Sequence, residues 1–243
     1  MSRDVYETYE RAIDLATDGG QAPGLLLSQI EIAFELNIAD SLALQMRNAL
    51  WRRIGLVRCE ILIDGATFDV PSRYQGPSGW LAWVMPVVRT PALGGGGAEY
   101  EDLIAFCDEG KHAGKVWRLL GSVDAVGLPF ETDRRTLTVF TQPKLWLQYW
   151  LKACRAESAP EKCLEAAETG PEAFAALVLD PKKVRWAPIV DVHSTIPLSI
   201  QEVRFPDSAE LRALVEKEMR LKLPALPRLR AAKGLPETEA AGT

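Results

Sequence analysis

The sequence predicts an α+β fold, in which an amino-terminal helical domain with a β-hairpin precedes a mixed α/β domain. Apolar residues recur at helical spacing within 4–54, and strand-like runs flank an Asp-Gly turn. Farther along, short strand and helix signals alternate. The predicted parts are a first domain at 1–72, a Gly/Pro-rich linker at 73–97, the mixed α/β domain at 98–223 and a disordered tail at 224–243.

Three helices are predicted before the hairpin. The first covers 4–17 and is followed by a pair of glycines, which favours a helix end. The second covers about 28–36 and begins with a Ser-x-x-Glu capping box. The third covers 41–54, with Asp40 as its N-cap and Gly55 after its last residue. Two of these helices are therefore separated only by a short polar turn.

The order of these elements resembles a winged helix-turn-helix domain. Two strand-like runs at 58–70 flank Asp64-Gly65, a dipeptide that readily adopts the positive φ angles of a two-residue hairpin turn. In the helix-turn-helix motif, the second helix of a tight pair enters the DNA major groove. The resemblance covers about residues 4–70. It implies that 41–54 is the recognition helix and that the hairpin is the wing. It identifies no narrower family.

The implied recognition helix carries the candidate binding residues. Its polar face can supply Arg to guanine and Asn or Gln to adenine, and flanking arginines can meet phosphates. From 41 to 58 the chain has four arginines and no acid, although its net charge is −5. The predicted nucleic-acid-binding residues are Ser41, Gln45, Arg47, Asn48, Arg52, Arg53 and Arg58.

The predicted function is nucleic-acid binding without catalysis, by a regulator or a subunit of a larger nucleoprotein complex. The expected ligand is double-stranded DNA, and 98–223 is expected to bind protein partners. Because 33 acidic residues outnumber 28 basic ones, the nucleic acid must bind to a local basic patch of the surface. The alternative is an adaptor whose winged helix docks protein, since Leu44 and Trp51 border the polar face. A third, more distant alternative is an unrecognised enzyme acting through the second domain.

The second domain is predicted to contain both strands and helices. A β-rich run at 136–141 precedes a helix at 142–157. Another strand at 198–205 precedes an amphipathic helix at 207–223, which opens with an Asp-x-x-Glu capping box. These segments favour a mixed α/β or α+β domain.

No catalytic, metal or cofactor signature is found in the sequence. The segment GKHAGKV at 110–116 superficially resembles a phosphate loop, but its glycines are one residue too close and no Ser or Thr follows Lys115. His193 lacks the second histidine motif that a two-histidine phosphoesterase needs, because His112 is followed by Ala and Gly. The four cysteines have neither C-x-x-C spacing nor a histidine at a ligand interval. No cofactor or metal is therefore expected.

Five tryptophans in the middle of the chain have two interpretations. Exposed rings would offer platforms for nucleobases, but core packing is the default. The helical spacing of Trp146 and Trp150 beside leucines favours a buried helix face. The five are Trp80, Trp83, Trp117, Trp146 and Trp150.

No membrane partner is expected. The longest apolar run, at 80–88, is too short to cross a bilayer and contains Pro86. The first residues mix acids and bases and lack the apolar stretch of a secretory signal. The predicted location is therefore the cytoplasm.

Overall fold

The chain is divided by its internal contacts into two compact units. Met1–Val123 and Leu147–Pro171 form the first unit, and Asp124–Trp146 and Glu172–Thr243 form the second. None of the helices in the described ranges is long and apolar enough to cross a membrane. The computed structural model describes residues 4–18, 55–73, 75–76, 79–89, 99–108, 110–126, 136–156, 175–183, 202–222 and 228–231.

A closed five-stranded β-barrel forms the core of the first unit. Around the barrel the order is β1-β2-β5-β4-β3, and all neighbours are antiparallel except β2 and β5. Alternate residues of each strand fill the interior, as Val57, Cys59 and Ile61 do on β1. The strands are β1 (Val57–Asp64), β2 (Thr67–Asp69), β3 (Trp80–Arg89), β4 (Glu99–Phe106) and β5 (Val116–Arg118).

One helix packs against the end of the barrel at which β1 begins. In α1 (Val5–Asp18), Tyr9 and Ala12 are buried in the same core as Val57. The Tyr9 hydroxyl donates a 2.6 Å hydrogen bond to the carbonyl of Gly55, just before β1. The pairing of Ile61 with Trp80 lies toward the opposite end, where β4 ends and β5 begins.

The prediction of an amino-terminal winged helix-turn-helix is wrong. The hairpin is present, and its turn includes Gly65 with a φ of 59°. However, β1 also pairs with β3 over residues 57–61, so the hairpin belongs to the closed barrel and is not a wing. An Asp-Gly turn is a local signal that does not determine which third strand the hairpin meets. The helices predicted at 28–36 and 41–54 lie outside the described residues.

The barrel also joins segments that the sequence assigns to different parts. Its first two strands come from 1–72, β3 comes from the predicted linker at 73–97, and the last two come from 98–223. Pro86 lies inside β3, where it pairs with Leu103 on β4. Pairing with β1 reaches only to Val84, so Pro86 has a partner strand on one side and its missing N–H is tolerated.

The second unit contains an open five-stranded sheet of order β10-β9-β7-β8-β6. Only the β6–β8 pair is antiparallel, and the other three pairs are parallel. The strand β10 lies within 224–243, which the sequence predicts to be disordered. The strands are β6 (Ala125–Val126), β7 (Thr136–Phe140), β8 (Ala176–Val178), β9 (Glu202–Phe205) and β10 (Arg228–Ala231).

Two helices follow strands of this sheet. These are α2 (Pro143–Ala156), which starts after β7, and α3 (Ala209–Lys222), which starts after β9. Ser208 caps α3, because its hydroxyl accepts a hydrogen bond from the N–H of Leu211. Asp207, predicted to be the cap, instead accepts the N–H groups of Thr141 and Gln142 at 2.8 and 2.9 Å. Asp207 therefore connects the ends of β9 and β7.

Candidate nucleic-acid interface

Of the seven residues predicted to bind nucleic acid, Arg58 is the one that lies in the described part of the chain. Its guanidinium group lies 4.0 Å from the carboxylate of Asp108 and 5.3 Å from the centre of the Trp83 ring. These contacts hold Arg58 against the outward-facing side of the barrel wall, and its contact with phosphate stays a prediction. The described residues do not include Ser41, Gln45, Arg47, Asn48, Arg52 and Arg53.

A different group of aromatic and basic side chains lies toward the end of the barrel opposite α1. Trp80 begins β3, Trp117 lies in β5, and His112 ends a short 3-10 helix, Gly110–His112, between β4 and β5. The His112 ring meets Trp80 edge to face, with 4.4 Å between ring centres, and lies 5.5 Å from Trp117. Trp117 is buried in the core, whereas Trp80 keeps part of its surface exposed.

Two exposed lysines add positive charge to this group. The Lys111 ammonium lies 4.1 Å from the centre of the Trp80 ring, which is a cation–π distance. Burial lowers the pKa of His112, and the charges of Lys115 and Lys111 lower that pKa further. The imidazole is therefore neutral at neutral pH. We call Trp80, Lys111, His112 and Lys115 the barrel-end cluster.

The connection between β4 and β5 holds the cluster in place through its backbone. The N–H of Gly114 donates to the carbonyl of Cys107, and the N–H of Lys115 donates to the carbonyl of His112, both at 3.0 Å. Gly110 and Gly114 each have a φ of 75°, a conformation that favours glycine. The glycines of GKHAGKV thus form the turn that brings the two lysines and the histidine together.

The barrel-end cluster combines an aromatic face with cations, which is what single-stranded nucleic acids require of a binding surface. A base that stacks on an aromatic side chain contributes about 1–3 kcal/mol. Lys111 now lies over the Trp80 ring, so a base that stacks there displaces the ammonium group. The displaced ammonium then becomes available to a phosphate.

The sequence analysis considered residues of this site separately and did not predict that they lie together. Trp80 and Trp117 were among the five candidate tryptophans, and GKHAGKV was rejected because it does not fit the phosphate-loop spacing. Trp80 and His112 meet only because β3 and β4 are paired, and residue spacing along the chain contains no signal for that contact. The prediction that Trp146 and Trp150 are buried is confirmed.

Two buried carboxylates of the barrel accept hydrogen bonds from the backbone and therefore have a structural role. Asp102 accepts hydrogen bonds from the N–H of Leu120 and from the N–H and hydroxyl of Ser122. Glu60 accepts a 2.7 Å hydrogen bond from the N–H of Gln75 through Oε2, and its Oε1 has no partner. Within the described ranges, no group of three His, Cys, Asp or Glu side chains could hold a metal ion.

No protein-family model matches the chain, and no curated protein or solved structure is significantly similar to it. A function must therefore be inferred from the geometry and charge of the barrel-end cluster.

Proposed function

We propose that the protein binds single-stranded nucleic acid through the barrel-end cluster, without catalysis, as a regulator or as a subunit of a larger nucleoprotein complex. The observation that carries the proposal is the position of Lys111 over the Trp80 ring, with His112 at the same ring. The aromatic face matches an unpaired base, and the exposed lysines match phosphates. An unpaired base is needed because stacking requires an accessible base face.

The strand order supports the proposal at the level of fold. The barrel has one parallel pair, β2 and β5, among antiparallel neighbours. The OB-fold is a five-stranded Greek-key barrel. If the strands of an OB-fold are renumbered so that its fourth strand comes first, every strand has the same neighbours as in this barrel, and the same pair of strands is parallel. In that order α1 takes the place of the helix that precedes the fourth OB strand. OB-folds bind oligonucleotides and oligosaccharides, but a fold does not assign a function, so the proposal depends on the cluster.

An adaptor that docks protein is the second candidate, and two exposed leucines favour it. Leu62 on β1 and Leu81 on β3 are 36% and 56% exposed. Both point away from the barrel interior, since Ile61 and Ala82 beside them are buried in it. Exposed apolar groups on neighbouring strands suit a protein partner better than a phosphate backbone.

Fluorescence anisotropy with the full chain across a salt series tests the proposal. The ligands are a labelled single strand of about ten nucleotides, as DNA and as RNA, and a duplex of the same length. We expect tighter binding to the single strand. Lys111→Ala and Lys115→Ala should each flatten the dependence of log K on log salt by about 0.7, the slope per phosphate contact in a single strand.

Two controls accompany this experiment. One distinguishes binding at the cluster from attraction to any surface charge, and the other distinguishes base stacking from phosphate contact. Lys182→Ala removes an exposed lysine of the second unit and should leave binding unchanged. An abasic strand should lose about 1–3 kcal/mol of binding free energy for each base that stacks. If the wild type shows no salt-sensitive binding to either single strand, the proposal fails and the adaptor candidate replaces it.

A further inference from the structure

We propose that Lys111, His112 and Lys115 receive a phosphate of the bound strand, and that His112 takes up a proton as the phosphate binds. This inference rests on the proposed function and assigns the phosphate subsite within the barrel-end cluster. It also makes binding dependent on pH in a range where few other side chains titrate.

The surroundings of His112 make its protonated form unfavourable in the free protein. Its ring contacts Trp80 and Trp117, and its Nδ1 atom is shielded from solvent and has no hydrogen-bond partner. A protonated imidazole carries an N–H on both ring nitrogens. The N–H at Nδ1 would then be buried without an acceptor, which is costly.

The charges that face His112 act in the same direction. Lys111 precedes it on the 3-10 helix and Lys115 follows it, and both lower its pKa. The tryptophans that face it from β3 and β5 do not titrate. Asp108, before the 3-10 helix, is engaged in an ion pair with β1. Glu109 lies outside the described residues.

A bound phosphate offsets the second of these effects, while the cost of burying the Nδ1 N–H is the same in the free protein and in the complex. Its negative charge offsets the two ammonium groups, and its oxygens accept hydrogen bonds from an imidazolium N–H. The pKa of His112 is then higher in the complex than in the free protein. By linkage, affinity must rise as the pH falls toward the range in which the bound form is protonated. Each unit of difference between the two pKa values corresponds to about a tenfold change in affinity.

The test measures the affinity of a rhodamine-labelled oligothymidylate of about ten nucleotides at constant ionic strength. Neither the thymine bases nor the phosphodiesters titrate between about pH 5.5 and about pH 7.5, where histidine does. We expect the affinity of the wild type to rise about three- to tenfold as the pH falls across this range. His112→Gln should abolish the rise, and His193→Gln, which replaces the other histidine of the chain, should retain it.

A second measurement does not depend on how His112→Gln folds. In the wild type, proton NMR follows the two imidazole Cε1–H resonances, which His193→Gln assigns. We expect the His112 resonance to titrate at a higher pH in the complex than in the free protein. A complex whose affinity does not change with pH, or whose pH dependence survives in His112→Gln, overturns this inference. Absence of binding at every pH refutes the proposed function itself.

Discussion

Replacing Asp102 by Asn should destabilise the barrel, because this carboxylate joins β4 to the segment that follows β5. Asp102 has no exposed surface. Its Oδ1 accepts the N–H groups of Leu103 and Leu120, both at 2.8 Å. Its Oδ2 accepts the N–H and the hydroxyl of Ser122, at 3.0 and 3.1 Å. Such a buried charge is tolerated because hydrogen bonds replace the lost water.

The magnitude follows from the hydrogen bonds that an amide can retain. In the better orientation of Asn, its oxygen accepts hydrogen bonds from the N–H groups of Leu103 and Leu120, and its NH₂ donates to the Ser122 hydroxyl. The N–H of Ser122 then loses its acceptor, and a lost hydrogen bond to a charged group costs about 1.5–3 kcal/mol. Ser122 is exposed, so water offsets part of this cost. We expect the free energy of unfolding to fall by about 2 kcal/mol, and by more for Asp102→Ala.

Urea unfolding and amide hydrogen exchange provide the assay. The matched control is Glu101→Gln, which makes the same charge change at the exposed neighbouring residue. Because the chain has two units, exchange at the amides of Leu120 and Ser122 gives the stability of the barrel locally. If Asp102→Asn is as stable as Glu101→Gln and these amides exchange no faster, the reasoning about Asp102 is refuted.

Three other predictions concern Cys59 and Glu60 of β1. A Cβ at Gly79 would overlap the Glu60 side chain, so Gly79→Ala should cost about 1–3 kcal/mol of unfolding free energy. Adding Glu60→Ala should recover part of that loss, and strictly additive effects in urea unfolding would contradict the overlap. Burial, and then the charge of Glu60, raise the pKa of the Cys59 thiol to about 12. A variant keeping only Cys59 should resist thiol reagents at about pH 8 until it is unfolded, and rapid reaction of the folded form would contradict its burial. Between the ordinary thiol pKa and the raised one, Cys59 is protonated in the folded protein and ionised in the unfolded chain. The free energy of unfolding should therefore fall above about pH 9, and it should fall less in Cys59→Ala.

The sequence predicted the described elements whose signals are local. The helix predicted at 4–17 is confirmed as α1, and the helix predicted at 142–157 is confirmed as α2. Apolar periodicity and caps act within a few residues, so both can be read along the chain. The hairpin at Asp64-Gly65 was predicted for the same reason, although its role as a wing was wrong.

The barrel could not be predicted because its closure depends on pairing between distant segments. β3 lies within a range whose many Gly and Pro residues indicated a linker, yet it pairs with β1 and β4 on its two sides. Its alternating pattern was hidden because the outward-facing residues Trp83 and Met85 are also buried and apolar. A strand buried on both faces reads as a continuous apolar run. That run, at 80–88, was recognised only as being too short for a membrane span.

The candidate site depends on the same long-range pairing. The net charge of −5 implied that any contact with nucleic acid must be made by a local patch, and the four arginines within 41–58 were the predicted one. Arg58 lies beside Asp108 and Trp83 on the outward-facing side of β1, and its contact with phosphate stays a prediction. The two lysines of GKHAGKV have no acidic partner among the described residues and remain exposed.

The two ends of the barrel differ in how far a ligand can approach them. At the end where β1 begins, α1 covers the core, and Tyr9 is bound to the carbonyl of Gly55. At the opposite end, Lys111 and Lys115 are exposed and part of the Trp80 surface is accessible. Lys111 can leave the Trp80 ring at the cost of one cation–π contact, about 0.5–1 kcal/mol at an exposed site, while His112 keeps its edge-to-face contact with that ring. Stacking of one base contributes about 1–3 kcal/mol, so exchange of Lys111 for a base is favourable even before the ammonium meets a phosphate.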